Sequence, residues 1–191
     1  MTMKAKASRL ASAFWGELSP SEHMVQIYDA DATFLDSLEG FVCGGLCGGE
    51  GVIVIATAAH RTALADRLEL RCIDVNAAAD RDQYLTLDAD EALAKFMLDE
   101  WPDELRFQEM MGDLLGRAGR GGRRVRAFGE MVARLWANGQ CGATVRLEHL
   151  WQDLCQRRGF SLFCAYPRVG FTQSADAGMR EVLAAHSRYI A

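Results

Sequence analysis

The sequence predicts a three-layer α/β fold, in which a mostly parallel sheet carries helices on both faces. The stretch from His23 to Thr57 reads as strand, sharp turn, amphipathic helix, glycine break and second strand, the opening of such a sheet. Val52 to Ala56 is an unbroken apolar run, as a central parallel strand covered on both faces requires. Short apolar runs then alternate with segments of helical period in the order βαβαβααβααβα, without internal repeats or linker-like composition.

Residues 1–21 form an N-terminal extension, weakly amphipathic, with a short helix expected over Ser8–Leu18 and a peripheral position. The first strand covers Met24–Tyr28, and Asp29 or Asp31 stands where it can cap the following helix. Phe34, Leu38, Phe41 and Val42 make that helix's buried stripe, and Gly44, Gly45, Gly48 and Gly49 close it. After the second strand, Thr57 caps a helix that reaches about Leu70. Cys72–Arg81 reads as irregular and Tyr84–Leu87 as the third strand. Asp88 caps a helix that stops before Pro102, because proline disfavours helical geometry in the residue preceding it.

Phe107, Met110, Met111, Leu114, Leu115 and Ala118 keep the helical period for three turns. A Gly/Arg segment leads into a strand at Val125–Phe128, Gly129 and Glu130 start a helix through Trp136, and Leu147 to Cys155 define another that Gly159 ends. Phe160–Tyr166 is the last strand, closed by Pro167. The division expected is an α/β domain over residues 22–170, with residues 171–191 as a C-terminal helix packed on it.

A chain of 191 residues suits one domain with its own core. The net charge of -5 argues against a general nucleic-acid or anionic-membrane surface, which needs clustered positive charge. The six cysteines are scattered over strands, helices and turns, as suits buried thiols in a reducing cytoplasm rather than a disulfide framework. The sequence contains no long apolar span and no signal-peptide pattern, so a cytoplasmic location without membrane contact is expected.

In parallel sheets ligands gather outside the carboxyl ends of the strands. The polar groups that the expected turns bring to that rim are Tyr28, Asp29, Asp31, Thr57, His60, Glu130 and Tyr166. Asp29 is expected among the ligand-binding residues with Tyr28, Glu130 and Tyr166; helix capping is the rival reading for Asp29, Asp31, Thr57 and Glu130, the last of which follows a glycine that permits close backbone approach. Tyr28 and Tyr166 also read as core aromatics. His23 lies at the far end of its strand from this rim. Cys43 and Cys47 share a helical face but have no further ligands nearby in sequence, so buried thiols and no metal are expected. Arg117, Arg120, Arg123, Arg124 and Arg126 form a positive patch on the opposite rim and read as a solvated loop.

Nucleotide chemistry lacks its residues. The turn Tyr28-Asp29-Ala30-Asp31 is acidic and without glycine, and none of the three lysines follows a glycine-rich strand turn. Neither a G-x-S-x-G elbow nor an H-E-x-x-H pair occurs. No catalytic residue and no cofactor are expected.

The segments HMVQIYDADATFLDSL, GLCGGEGVIVIAT, QYLTLDADEAL, VRAFGEM, RLEHLW and LFCAYP, in this order, resemble the MEDS sensory domain of DcmR-type transcription regulators and some histidine kinases, over about residues 22–167. That family looks like a degenerate relative of the KaiC and RecA ATPases, so the resemblance implies a RecA/KaiC-like fold without a P-loop. It also implies a non-enzymatic sensor of small organic molecules such as hydrocarbon derivatives. The residues it points to are His23, Tyr28, Glu130, Glu148, Cys164 and Tyr166. The chain shows no helix-turn-helix and no kinase module. Output is therefore expected through a partner, such as a histidine kinase or transcription regulator, or through a homodimer. A KaiC-like nucleotide-binding regulator without efficient hydrolysis and a thiol redox sensor built on Cys164 are the alternatives.

Overall fold

A computed structural model of the chain describes residues 15–16, 18–170 and 176–190. It contains a six-stranded parallel sheet in the order β3-β2-β6-β7-β1-β8, formed by β1 (His23–Tyr28), β2 (Gly51–Ala56), β3 (Tyr84–Asp88), β6 (Val125–Gly129), β7 (Ser161–Pro167) and β8 (Arg188–Ile190). The connections that run towards β3 lie on one face: α1 (Asp31–Cys47), α2 (Ala58–Leu70) and α3 (Val75–Asp80). Those that run the other way lie on the second face: α4 (Ala89–Phe96), α5 (Glu104–Ala118), α6 (Met131–Ala137), α7 (Cys141–Arg158) and α8 (Asp176–Ala184). A right-handed crossover produces this division, because reversing the direction of travel along a sheet moves the helix to the opposite face. The expected three-layer α/β architecture is the one observed.

Alternation along each strand fills two cores. Met24, Val52, Val54, Phe128, Phe163 and Ala165 pack under α1 and α2, whereas Val25, Ile53, Ile55, Ala127, Leu162, Cys164 and Tyr166 face α4 to α8. Several local expectations change. Trp15 and Leu18 are core residues rather than peripheral ones; the rest of the expected Ser8–Leu18 helix, apart from Gly16, lies outside the described residues. The stretch read as irregular contains α3, capped by Asp74, whose side chain accepts from the Ala77 N–H at 2.8 Å.

The helix before Pro102 ends at Phe96, and the chain forms a short antiparallel hairpin, β4 (Met97–Leu98) with β5 (Trp101–Pro102), through Asp99 and Glu100 in the left-handed region. The C-terminal helix stops at Ala184, and Arg188–Ile190 becomes a strand parallel to β1. That tail carries only three strand residues, too few for alternation to distinguish it from a continuing helix.

Gly44 and Gly45 do not close the first helix, which continues to Cys47. A Cβ on Gly45 would lie 2.6 Å from Val52 and 2.7 Å from Arg126, so these small residues let α1 approach the sheet around a buried arginine. Arg126 is the exception in the positive patch. Its side chain is 1% exposed, and its guanidinium donates to Glu50 at 2.5 Å and to the carbonyls of Trp15 and Phe41 at 2.8 and 2.9 Å. Of the others, Arg117 and Arg120 pair with Asp82, Arg124 pairs with Glu50, and Arg123 donates to the carbonyls of Ala118, Arg81, Asp82 and Arg117.

Candidate functional site

The residues singled out in the sequence separate into two groups on opposite faces of the sheet. The first lies at the carboxyl rim. β2 leads into a helix on one face and its neighbour β6 into a helix on the other, so their connections diverge at this rim, the place where parallel sheets usually bind ligands. Glu130 spans the divergence. Its carboxylate accepts from the Thr57 N–H at 2.8 Å, from the Thr57 hydroxyl at 3.5 Å and from His60 Nδ1 at 2.8 Å. Glu130 occupies the N-cap position of α6 but makes no side-chain bond to that helix, so the capping explanation fails for this residue.

His60 Nε2 lies 4.0 Å from Asp31, and the His60 ring meets Phe34 edge-on at 4.9 Å, with Tyr28 stacked on Phe34 at 4.8 Å. Asp31 begins α1 rather than capping it; the cap position is Ala30, without a side-chain bond. Asp29 also caps nothing and is exposed, pairing with Arg168 at 2.7 Å. Burial, reinforced by the charges of Glu130 and Asp31, pushes the Tyr28 hydroxyl pKa upward.

The Glu130 hydrogen bond raises the His60 pKa above its ordinary 6.5 against the opposing effect of burial. The folded value therefore exceeds the unfolded one. The resulting stabilisation is complete below about pH 6.5 and is lost as pH rises through the folded pKa. Urea midpoints of wild type and His60→Gln, compared from about pH 6 to about pH 9, should differ most at the acidic end and converge as the pH rises. A constant difference would remove the Glu130–His60 charge pairing.

The second group lies beneath the sheet. His23 from the start of β1, Glu148 from α7, Cys164 and Tyr166 from β7, and His186 between α8 and β8 converge in one fully enclosed cluster. His23 Nε2 is 3.5 Å from Glu148 Oε2 and 3.5 Å from Cys164 Sγ; His186 Nε2 is 3.5 Å from Glu148 Oε2, and Cys164 Sγ is 3.8 Å from the same oxygen. The Tyr166 hydroxyl donates a short hydrogen bond to the other Glu148 oxygen. Tyr166 thus belongs here and not with Tyr28 and Glu130, because its position in β7 points it to the opposite face.

The tautomers follow from the outer partners. His23 Nδ1 lies 3.1 Å from the Ala185 carbonyl and 2.8 Å from Gln152 Oε1, and His186 Nδ1 lies 2.6 Å from the Val182 carbonyl. Carbonyl oxygens only accept, so each ring carries its proton on Nδ1 and turns the Nε2 lone pair into the cluster. His186 Nε2 has no hydrogen-bond partner there. Burial pushes Glu148 up to about 8 despite the Tyr166 hydrogen bond, lowers His23 to about 4 against its bonds to Gln152 and Ala185, and lowers His186 to about 3. It also lifts the Cys164 thiol and Tyr166 hydroxyl well above their ordinary values.

Sequence reasoning missed His186, which it assigned to the terminal helix, and Gln152, which it did not weigh. The rim rule excludes His23, correctly as to position, whereas the family resemblance points to it, because the rim is only one of two places where polar groups meet. Cys43 and Cys47 are half-buried and exposed free thiols, and neither belongs to this cluster.

A family description, MEDS: MEthanogen/methylotroph, DcmR Sensory domain, matches residues 22–187. The chain belongs to the MEDS family. The match extends past the resemblance seen in the sequence, which ended at Pro167, and takes in α8 and His186. Both polar groups therefore lie inside the MEDS region. No curated protein matches the chain. Membership carries a sensory or signalling role, and among the described residues no helix is long and apolar enough to cross a membrane.

Proposed function

We propose that this MEDS chain is a non-catalytic sensor that binds a small organic molecule at the carboxyl rim and passes the state of that rim to a signalling partner, such as a histidine kinase or transcription regulator. The observation that carries the reading is Glu130. One carboxylate, held across the divergence of β2 and β6, ties the start of α2 to the end of β6 through Thr57 and His60. A ligand hydroxyl or amine that competes for this carboxylate loosens α2 from β6, and a partner can read the shift of a whole helix. Tyr28 and Phe34 supply the apolar wall beside it.

The same carboxylate argues against the nucleotide alternative. The N-terminus of α2, where a phosphate would gain most from exposed N–H groups, is already occupied by the chain's own anion. A redox sensor built on Cys164 is disfavoured by its burial and raised pKa, the opposite of an accessible thiolate.

Ligand-observed NMR of the folded protein against small alcohols, carbonyl compounds and amines tests the proposal. A binder should lose at least about tenfold in affinity in Glu130→Ala, equivalent to about 1.4 kcal/mol, while the variant keeps its fold. Equal affinity in the folded variant would remove Glu130 from the site. A stoichiometric ATP adduct in native mass spectrometry would reverse the order of the two readings.

A further inference from the structure

We propose that His23, Glu148, Cys164 and His186 form a four-coordinate site for a divalent transition metal of the zinc class, on the opposite face of the sheet from the Glu130 rim. The four ligand atoms, one from each residue, lie within 4.8 Å of one another. A tetrahedral zinc ion about 2.0–2.1 Å from nitrogen and oxygen and about 2.3 Å from sulfur sets its ligands roughly 3.3–3.6 Å apart. Three of the six separations are 3.5 Å and a fourth is 3.8 Å, so these pairs stand close to coordination spacing, and the remaining two, within 4.8 Å, draw in on binding.

Three further observations separate this from an ordinary buried polar network. Both imidazoles are tied at Nδ1 to oxygen acceptors, an arrangement that orients a histidine to ligate through Nε2. His186 Nε2, in a side chain without solvent exposure, has no hydrogen-bond partner and faces the other three donors. The Tyr166 hydroxyl orients the carboxylate from its far oxygen, leaving Oε2 towards the cluster.

Charge also balances. On binding, the Cys164 thiol and the buried Glu148 carboxyl each release a proton to solvent, so two negative ligands and two neutral imidazoles neutralise a dication. A mixed sulfur, nitrogen and oxygen set with tetrahedral spacing favours zinc over the octahedral, oxygen-bound magnesium or calcium.

The positions of the ligands give the site a role. His23, Glu148 and Cys164 belong to the interior of the sheet and to α7, whereas His186 lies on the segment that places β8 beside β1. Ser187 donates its N–H to the His23 carbonyl at 2.8 Å, so the metal and the start of β8 share one residue of β1. The metal clips the C-terminal strand to the sheet, and its occupancy controls whether that edge is covered.

The probe is cobalt(II), added to full-length protein that has been stripped with chelator and refolded in its presence. The expected result is about one cobalt per chain with the strong visible absorption of a tetrahedral centre and a thiolate-to-cobalt charge-transfer band, displaced by zinc. Cys164→Ser should abolish the charge-transfer band. His186→Gln should retain it while weakening cobalt binding at least about tenfold and raising hydrogen exchange in β8. Failure of wild type to bind cobalt or zinc, weak octahedral absorption, or an unaltered affinity in His186→Gln would each overturn the assignment. None of these results depends on Glu130, so the rim reading stands or falls separately.

Discussion

Glu50→Ala is expected to lower the unfolding free energy by about 3–5 kcal/mol, the usual cost of leaving a buried charge without its partner. Glu50 bonds to both Arg124 and Arg126, but the two arginines differ in what happens next. Arg124 is 56% exposed and can turn to water. Arg126 is enclosed between the start of the described chain, α1 and the sheet; its remaining partners are the Trp15 and Phe41 carbonyls and the Phe41 ring at 5.2 Å. Carbonyl dipoles satisfy its donors without neutralising its charge. Burial raises the Glu50 pKa, yet the two guanidiniums outweigh it and hold the carboxyl below its ordinary value, so this stabilisation is present above the unfolded pKa and is lost as pH falls through the folded one. Urea denaturation at neutral pH should show a lower midpoint with an unchanged slope, and Glu50→Gln should lose less. A loss under about 1 kcal/mol in Glu50→Ala would mean that Arg126 is adequately compensated by its carbonyls.

Trp151→Ala should destabilise by a similar amount, about 3–5 kcal/mol, through lost burial and the cavity left behind. Trp151 is wholly buried, meets Phe107 edge-on at 5.1 Å and Phe160 at 6.3 Å, and lies against Gly129, where an added Cβ would be 3.2 Å from its ring. The consequence extends beyond packing. α7 presents Trp151 in the same two turns as Glu148 and Gln152, so unseating the indole moves the residues that hold the buried polar cluster. Urea unfolding measures the stability loss, and Trp151→Phe, which fills part of the volume, should recover a large share of it. Equal loss in the two variants would show that the indole's full outline is required.

The two polar groups were unequally legible. Thr57, His60 and Glu130 each directly follow or open a helix after a strand, and the rule that parallel strands share a carboxyl rim placed them together. His23, Glu148 and Cys164 are pointed to only by family resemblance, since they come from the start of a strand, the middle of a helix and the interior of another strand, and the rim rule places Tyr166 with the wrong group because it does not fix which face of β7 the side chain takes. His186 lacked even that, because α8 ends two residues before it and the helical period gave no warning.

The sequence by itself determined the α/β class, most strand positions and the absence of a phosphate loop. Those properties rest on local patterning: apolar runs for strands covered on both faces, a 3.6-residue period for helices, and glycine and lysine at fixed spacing for phosphate. Only the tertiary structure decided that Arg126 is a core residue, that the tail returns as β8, and that two histidines, a carboxyl and a thiol share one buried site. The physical reason is strand order. β1 lies between β7 and β8, so residues 23, 164 and 186 become neighbours through hydrogen-bonded pairings that no local period encodes.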